Sequence, residues 1–185
     1  MRLVLLGPPG AGKGTQAVRL AARLGVPAIS TGDIFRTNIA GGTALGELAQ
    51  SYTRAGKLVP DEVTNDMVRD RLAQPDVAPG FLLDGYPRNA AQVEALDGML
   101  TQAGTPLDAV VLITADTDAL VERLLKRAEI EGREDDTEDV IRHRQEVYAA
   151  ETAPLVGIYR DRGLLVPVDG MGEVDDVTAR MTDAL

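Results

Sequence analysis

The stretch "GPPGAGKGT" (residues 7–15) gathers groups suited to holding a phosphate: glycines, amides at the start of a helix, and a lysine. An anion beside such a turn is met by several N–H dipoles and one full charge. The common form of a phosphate-cradling loop is G-x-x-x-x-G-K-[ST], in which the hydroxyl after the lysine holds Mg²⁺. Gly7, Gly12 and Lys13 fit it, but Gly14 stands in the hydroxyl's place and a hydroxyl follows only at Thr15. Glycine-rich turns also serve purely structural ends, since glycine allows positive φ and close backbone approach. The charge of Lys13 is what a mere turn does not need, so the loop reads as a phosphate binder. By itself it does not say which phosphate compound.

Alternating apolar runs and helical patterns must position this loop. The strands read as "RLVLL" (2–6), "PAIS" (27–30), "GFLLDG" (80–85), "DAVVLIT" (108–114) and "GLLVPV" (163–168). Between them lie a helix from Gly12 to about Leu24, helical stretches near 32–40, 43–55 and 61–73, and a helix from Asn89 to Gln102. Further helices start near Asp116, Thr137 and Glu173. Asn89, Asp116 and Thr137 are N-cap candidates, with acids in the first turn where the helix dipole favours them. Short apolar strands without strict alternation, separated by helices, indicate an α/β fold: a parallel sheet covered on both faces. Ligands bind such sheets beyond the carboxyl ends of the strands. Both "GPPGAGKGT" and "DGYPR" (84–88) fall on that edge.

Composition narrows the partners. The 185 residues are 44% hydrophobic, enough for one domain with a real core. The apolar "LVLL" stops at Gly7, so no membrane span or secretory signal is expected. There is no Cys and one His, which argues against disulfides and a structural zinc and suggests a cytoplasmic enzyme. A net charge of −10 disfavours nucleic acid and anionic membrane alike. Lys13, Lys57 and Lys126 are the only lysines, and arginine, which grips phosphate oxygens with two parallel N–H groups, supplies the other cations. An acidic body with a few convergent arginines suits a small anionic ligand.

A GTPase would need N-K-x-D, yet Asn38, Asn65 and Asn89 are not followed by Lys; "FLLDG" lacks the second acid that a water-activating ATPase would use. A transfer enzyme is left. Taken in order, "GPPGAGKGTQA", "STGDIFR" (30–36), "AGKLVPDE" (55–62), "DGYPRNAAQ" (84–92), "GREDD" (132–136) and "ETAPL" (151–155) resemble the adenylate kinase family over essentially the whole chain. That family writes its loop G-x-P-G-x-G-K-G-T, so Gly14 is no defect.

The resemblance implies a P-loop three-layer fold with a central five-stranded parallel sheet, an AMP-binding flap (30–59), a short lid (126–136), and a core formed by 1–29, 60–125 and 137–185. It implies the reaction Mg·ATP + AMP ⇌ 2 ADP in a monomer, with Mg²⁺ arriving on ATP and no zinc. On the ATP side it places Gly10, Ala11, Gly12, Lys13, Gly14, Thr15, Arg123, Arg127 and the Gly172 backbone. On the AMP side it places Thr31, Arg36, Lys57, Leu58, Val59, Gly85, Tyr86, Pro87, Arg88 and Gln92, with Arg133 and Arg144 arriving on closure. The catalytic cations would be Lys13, Arg88, Arg123, Arg127, Arg133 and Arg144, and Asp84 with Asp33 would touch Mg²⁺ through water only. His143 reads as a helix-surface residue. Kinases with UMP/CMP or GMP as acceptor share the loop and would differ around Thr31 and Gln92. A shikimate-type kinase would carry Ser or Thr after the lysine, and a non-catalytic nucleotide sensor would be expected to have lost Lys13 or an arginine.

Overall fold

Side chains alternate across a strand, so a strand covered on both faces must be apolar at every position. In β1 (Arg2–Leu6), Leu3 and Leu5 join one buried cluster while Val4 and Leu6 join the other. A computed structural model describes residues 1–131 and 137–185. Its remaining strands are β2 (Ala28–Ser30), β3 (Phe81–Asp84), β4 (Ala109–Thr114) and β5 (Leu165–Asp169). All pair in parallel, in the order β2-β3-β1-β4-β5.

Helices α1 (Lys13–Leu24) and α9 (Val174–Asp183) close one face through Ala17, Leu20, Val177 and Met181. On the other face α4 (Asp61–Leu72), α5 (Ala90–Ala103) and α8 (Leu155–Asp161) contribute Val68, Val93, Leu96, Leu155 and Tyr159. A third cluster of Phe35, Ala49 and Val59 belongs to α2 (Thr31–Ala40), α3 (Ala44–Thr53) and the segment after them, within the span expected as a flap. The register levels the functional edge: Asp84 pairs with both Leu5 and Ser30. The turns after β1, β2 and β3 therefore open side by side.

Several local expectations are refined. α1 begins at Lys13 because Gly12, at φ 89°, is left-handed and forms the cap instead. Asn89 accepts from the Gln92 N–H (2.9 Å) and Asp116 from the Ala119 N–H (3.5 Å), whereas Thr137 caps α7 (Glu138–Val147) without a side-chain bond. The helical pattern after Thr137 does not run on unbroken: α7 widens into a π-type turn over Tyr148–Thr152 before α8. Pro154 has no N–H to donate and crowds the preceding turn, so the chain must re-register there. A 3₁₀ turn at Pro75–Val77 carries no periodic signal and was not expected. The expected lid begins inside α6 (Thr117–Glu131), while 132–136 lie outside the described residues. Among the described residues no helix is long and apolar enough to cross a membrane.

The two faces of α1 give a direct test. Leu20 is fully buried and Val18 exposed. Leu20→Ala should cost about 2–5 kcal/mol in urea unfolding, the range for a buried leucine. Val18→Ala should stay within about 0.5 kcal/mol. Equal losses would mean that α1 packs by another face.

Candidate active site

The loop between β1 and α1 is shaped by its neighbours. Gly10 has φ 87°, and a Cβ there would lie 2.8 Å from the Leu120 carbonyl oxygen, so only glycine lets the loop lie against α6. Lys13 turns back over the loop, and its Nζ donates to the Gly7 (2.8 Å) and Pro8 (3.0 Å) carbonyls. Burial pushes its pKa down to about 8; Asp84 opposes the shift, while Arg88 and Arg127 add to it. Asp84, at the end of β3, is 8% exposed. A Cβ on Gly14 would stand 3.7 Å from Asp84 Oδ2, an ordinary contact, so the glycine leaves space beside the carboxylate rather than filling it with a hydroxyl.

Across the cavity, Arg88 follows the cis Tyr86–Pro87 peptide. Its Nε donates to the Gly85 carbonyl (2.8 Å), which also accepts from Thr31 Oγ1 (3.0 Å). Gly85, at φ 81°, has no room for a side chain: a Cβ would lie 2.7 Å from Thr31 Oγ1. Burial lowers the Arg88 pKa; Asp84 counters this, and the like charges of Arg144 and Arg36 reinforce it. Lys13 and four arginines thus gather here, with Asp84 acting on Lys13 and Arg88.

They face a cavity of about 720 Å³. Its wall brings together Gly10, Gly12, Lys13, Gly14, Thr15, Arg123 and Arg127 from the expected ATP set. From the expected AMP set it takes Thr31, Arg36, Lys57, Leu58, Val59, Gly85, Pro87, Arg88, Gln92 and Arg144, and both Asp33 and Asp84 line it as well. Three expected residues lie off the wall. Ala11 is buried in the core, and the Tyr86 ring is buried with its hydroxyl donating to Asn65 Oδ1 (2.7 Å). Gly172 lies just beyond, in a turn whose Gly170 carbonyl accepts from Arg123 Nη1 (3.5 Å). Arg133 lies outside the described residues. Gln92, whose alternative reading was an exposed helix glutamine, is 2% exposed. His143 is half-buried, paired with Glu146, and off the wall.

The wall also includes residues that were not anticipated. Arg54 is one, and its position beside the flap's Gly56 could have suggested it. Thr152 Oγ1 donates to the Arg88 carbonyl (2.6 Å), and Gln145 Nε2, nearby on α7, donates to the Pro9 carbonyl (3.0 Å). "ETAPL" marked Thr152 without giving it a task. For metal, the described residues contain no group of three or more His, Cys, Asp or Glu. Asp33 is already paired with Arg36, so Asp84 is the wall's better-placed carboxylate. A carboxylate with space beside it fits an ion that brings its own phosphate and water ligands.

A site that collects cations for phosphate, with its one histidine outside, is built to move a phosphoryl group between two anions. On this parallel sheet that makes it a P-loop phosphotransferase. The family model described as adenylate kinase matches residues 5–164. Proteins named adenylate kinase from Kocuria rhizophila (65% identical) and Nocardioides sp. (62%) match 100% of this chain and 98% and 97% of their own. One from Thermobifida fusca is 56% identical over 100% of this chain and 98% of its own. The chain belongs to the adenylate kinase family.

Lys13 gives a pH test. A lysine whose folded pKa is about 8, below its ordinary 10.5, costs stability while charged. That cost is full below pH 8, falls as the pH rises from 8 to 10.5, and is absent above. The melting temperature of the nucleotide-free wild type, relative to Lys13→Met, should therefore climb across that window. A difference that stays flat would mean that Lys13 is not held at a lowered pKa.

Proposed function

We propose that the cavity performs the family's reaction, Mg·ATP + AMP ⇌ 2 ADP, with the donor nucleotide on the side of the 7–15 loop and the acceptor on the side of α2 and Gln92. The observation that carries this reading is the convergence of Lys13, Arg36, Arg88, Arg127 and Arg144 on one cavity wall, with Asp84 acting on Lys13 and Arg88. An oxygen of the AMP phosphate attacks the γ-phosphorus of ATP, the bond to the β–γ bridging oxygen breaks, and the electron pair leaves with ADP. The attacking oxygen needs no base, because a phosphate monoester's second pKa is about 6. What remains is alignment and charge neutralisation.

Lys13 and Arg127 neutralise the transferring group from the donor side, and Arg36 and Arg88 hold the acceptor phosphate. Arg144 lies beside Arg88, where it can serve the group in transit. Arg123 holds the 169–172 turn, which borders the donor base. Gln92, on the cavity wall, meets the acceptor base through its side-chain amide. Mg²⁺ bound with ATP would be held by Asp84 through water and would supply further charge neutralisation. Residues 30–59 act as the acceptor flap, and 126–136 as a short lid that excludes water.

With ADP and Mg²⁺ as the only additions, ATP and AMP should appear in equal amounts by chromatography; their absence would overturn the reading. Lys13→Met and Arg88→Ala should each lower turnover by at least ~10²-fold in folded protein, as expected for loss of a preorganised charge at the transition state. Calorimetric titration of Mg²⁺ into nucleotide-free protein should give no stoichiometric binding, with activity following the Mg·nucleotide concentration. A tight metal site would contradict the water-only role of Asp84.

A further inference from the structure

Gln92 has both ends of its amide engaged by the protein. Oε1 accepts from the Arg88 backbone N–H (2.8 Å), and Nε2 donates to Asp61 Oδ1 (2.7 Å). Neither partner can exchange roles, since a backbone N–H only donates and a carboxylate only accepts. The amide therefore cannot turn over. Asp61 is held in turn: Asn89 Nδ2 donates to its two oxygens at 2.9 and 3.2 Å. It is also the first residue of α4, where the helix dipole favours an acid. Asn89 Oδ1 accepts from the Gln92 N–H (2.9 Å) and closes the ring. An amide offers two N–H groups and two lone pairs, and one of each is left over. Gln92, though almost fully buried, lines the cavity.

We infer that Asp61, through its hold on Gln92 Nε2, is a positioning residue that sets base specificity, selecting a 6-aminopurine monophosphate against a 6-oxopurine one. The inference rests on the reading of Gln92 as a contact to the acceptor base. The remaining N–H meets ring N1 of adenine, and the remaining lone pair receives the 6-amino hydrogen. A 6-oxopurine carries the reverse pattern, a donor at N1 and an acceptor at O6, which a fixed amide cannot match. Unpaired polar groups in a buried site are what make such rejection strong. Asp61 itself touches neither nucleotide.

The test compares AMP with IMP as acceptor, at saturating Mg·ATP, in wild type, Asp61→Asn, Gln92→Ala and Glu62→Gln. Asp61→Asn keeps the shape but can turn either a donor or an acceptor toward Gln92. Its Michaelis constant for AMP should rise about 10-fold, the worth of one good buried hydrogen bond. Turnover at saturating AMP and the ATP constant should hold, while the AMP:IMP ratio of kcat/KM falls by a similar factor. Glu62→Gln removes an exposed charge from the same helix start and should leave the ratio unchanged. If Gln92→Ala shifts the ratio and folded Asp61→Asn does not, the role of Asp61 is overturned and the reading of Gln92 stands. If neither shifts it, both fall. Should Asp61→Asn not fold, NMR of the wild-type Gln92 side-chain NH₂, assigned by its loss in Gln92→Ala, decides the matter. One proton should exchange slowly without nucleotide and the other should shift on adding AMP; two freely exchanging protons that ignore AMP would overturn the proposal.

Discussion

Holding several cations together and partly out of water is the constraint on which this site depends. Loss of water works most strongly against the charges of Lys13 and Arg88, and like charges add to it: Arg88 and Arg127 for Lys13, Arg144 and Arg36 for Arg88. Removing charges from water is costly unless partners replace the water. For Lys13 and Arg88 those partners are backbone carbonyls: Gly7 and Pro8 for Lys13, and Gly85 for Arg88. Carbonyls share a cation's charge without neutralising it, so the attraction for an incoming phosphate is preserved. A row of carboxylates would have removed it.

Such an arrangement cannot stabilise itself, and the sheet supplies what it lacks. Two buried clusters, one on each face, fix the strands whose ends carry the loops. Gln16 shows how closely the loop helix is tied in: its Nε2 donates to the Val174 carbonyl (3.0 Å) and its Oε1 accepts from Thr178 Oγ1 (2.7 Å), joining α1 to α9. Arg88 is fixed through its backbone as well, with its N–H on Gln92 and its carbonyl on Thr152. The π-type turn after α7 ends at Thr152, so an irregular stretch of helix serves to reach the site. Pre-set geometry of this kind is where a phosphoryl transfer that needs no base gains its rate.

The same economy bears on the Mg²⁺ that the proposed reaction would bring. A hydroxyl after the lysine would bring a ligand to Mg²⁺; Gly14 instead leaves open space beside Asp84. The site is thereby suited to a metal that travels with its nucleotide. On the proposed reading, specificity for the acceptor follows a parallel logic, because a glutamine can read a base only if its amide is prevented from turning over.

The sequence determined the α/β class, the five strands and the glycine-rich loop, since each leaves a local mark, whereas the arginines were singled out only by their places in motifs that resemble a family. Apolar runs signal strands buried on both faces, glycines signal the turn, and a charge beside that turn signals an anion. Gln92 was legible as a candidate, but not its burial, because a glutamine in an amphipathic pattern looks the same in water or in a network. Asp61 and Thr152 fell within "AGKLVPDE" and "ETAPL" without being given a task. Only the tertiary structure decided that residues 31 apart, Asp61 and Gln92, share a hydrogen bond, or that Thr152 caps the carbonyl of a residue 64 positions away. Local pattern records which face of an element is apolar. It carries no record of which polar groups meet when those faces close, because that depends on how separate elements pack together.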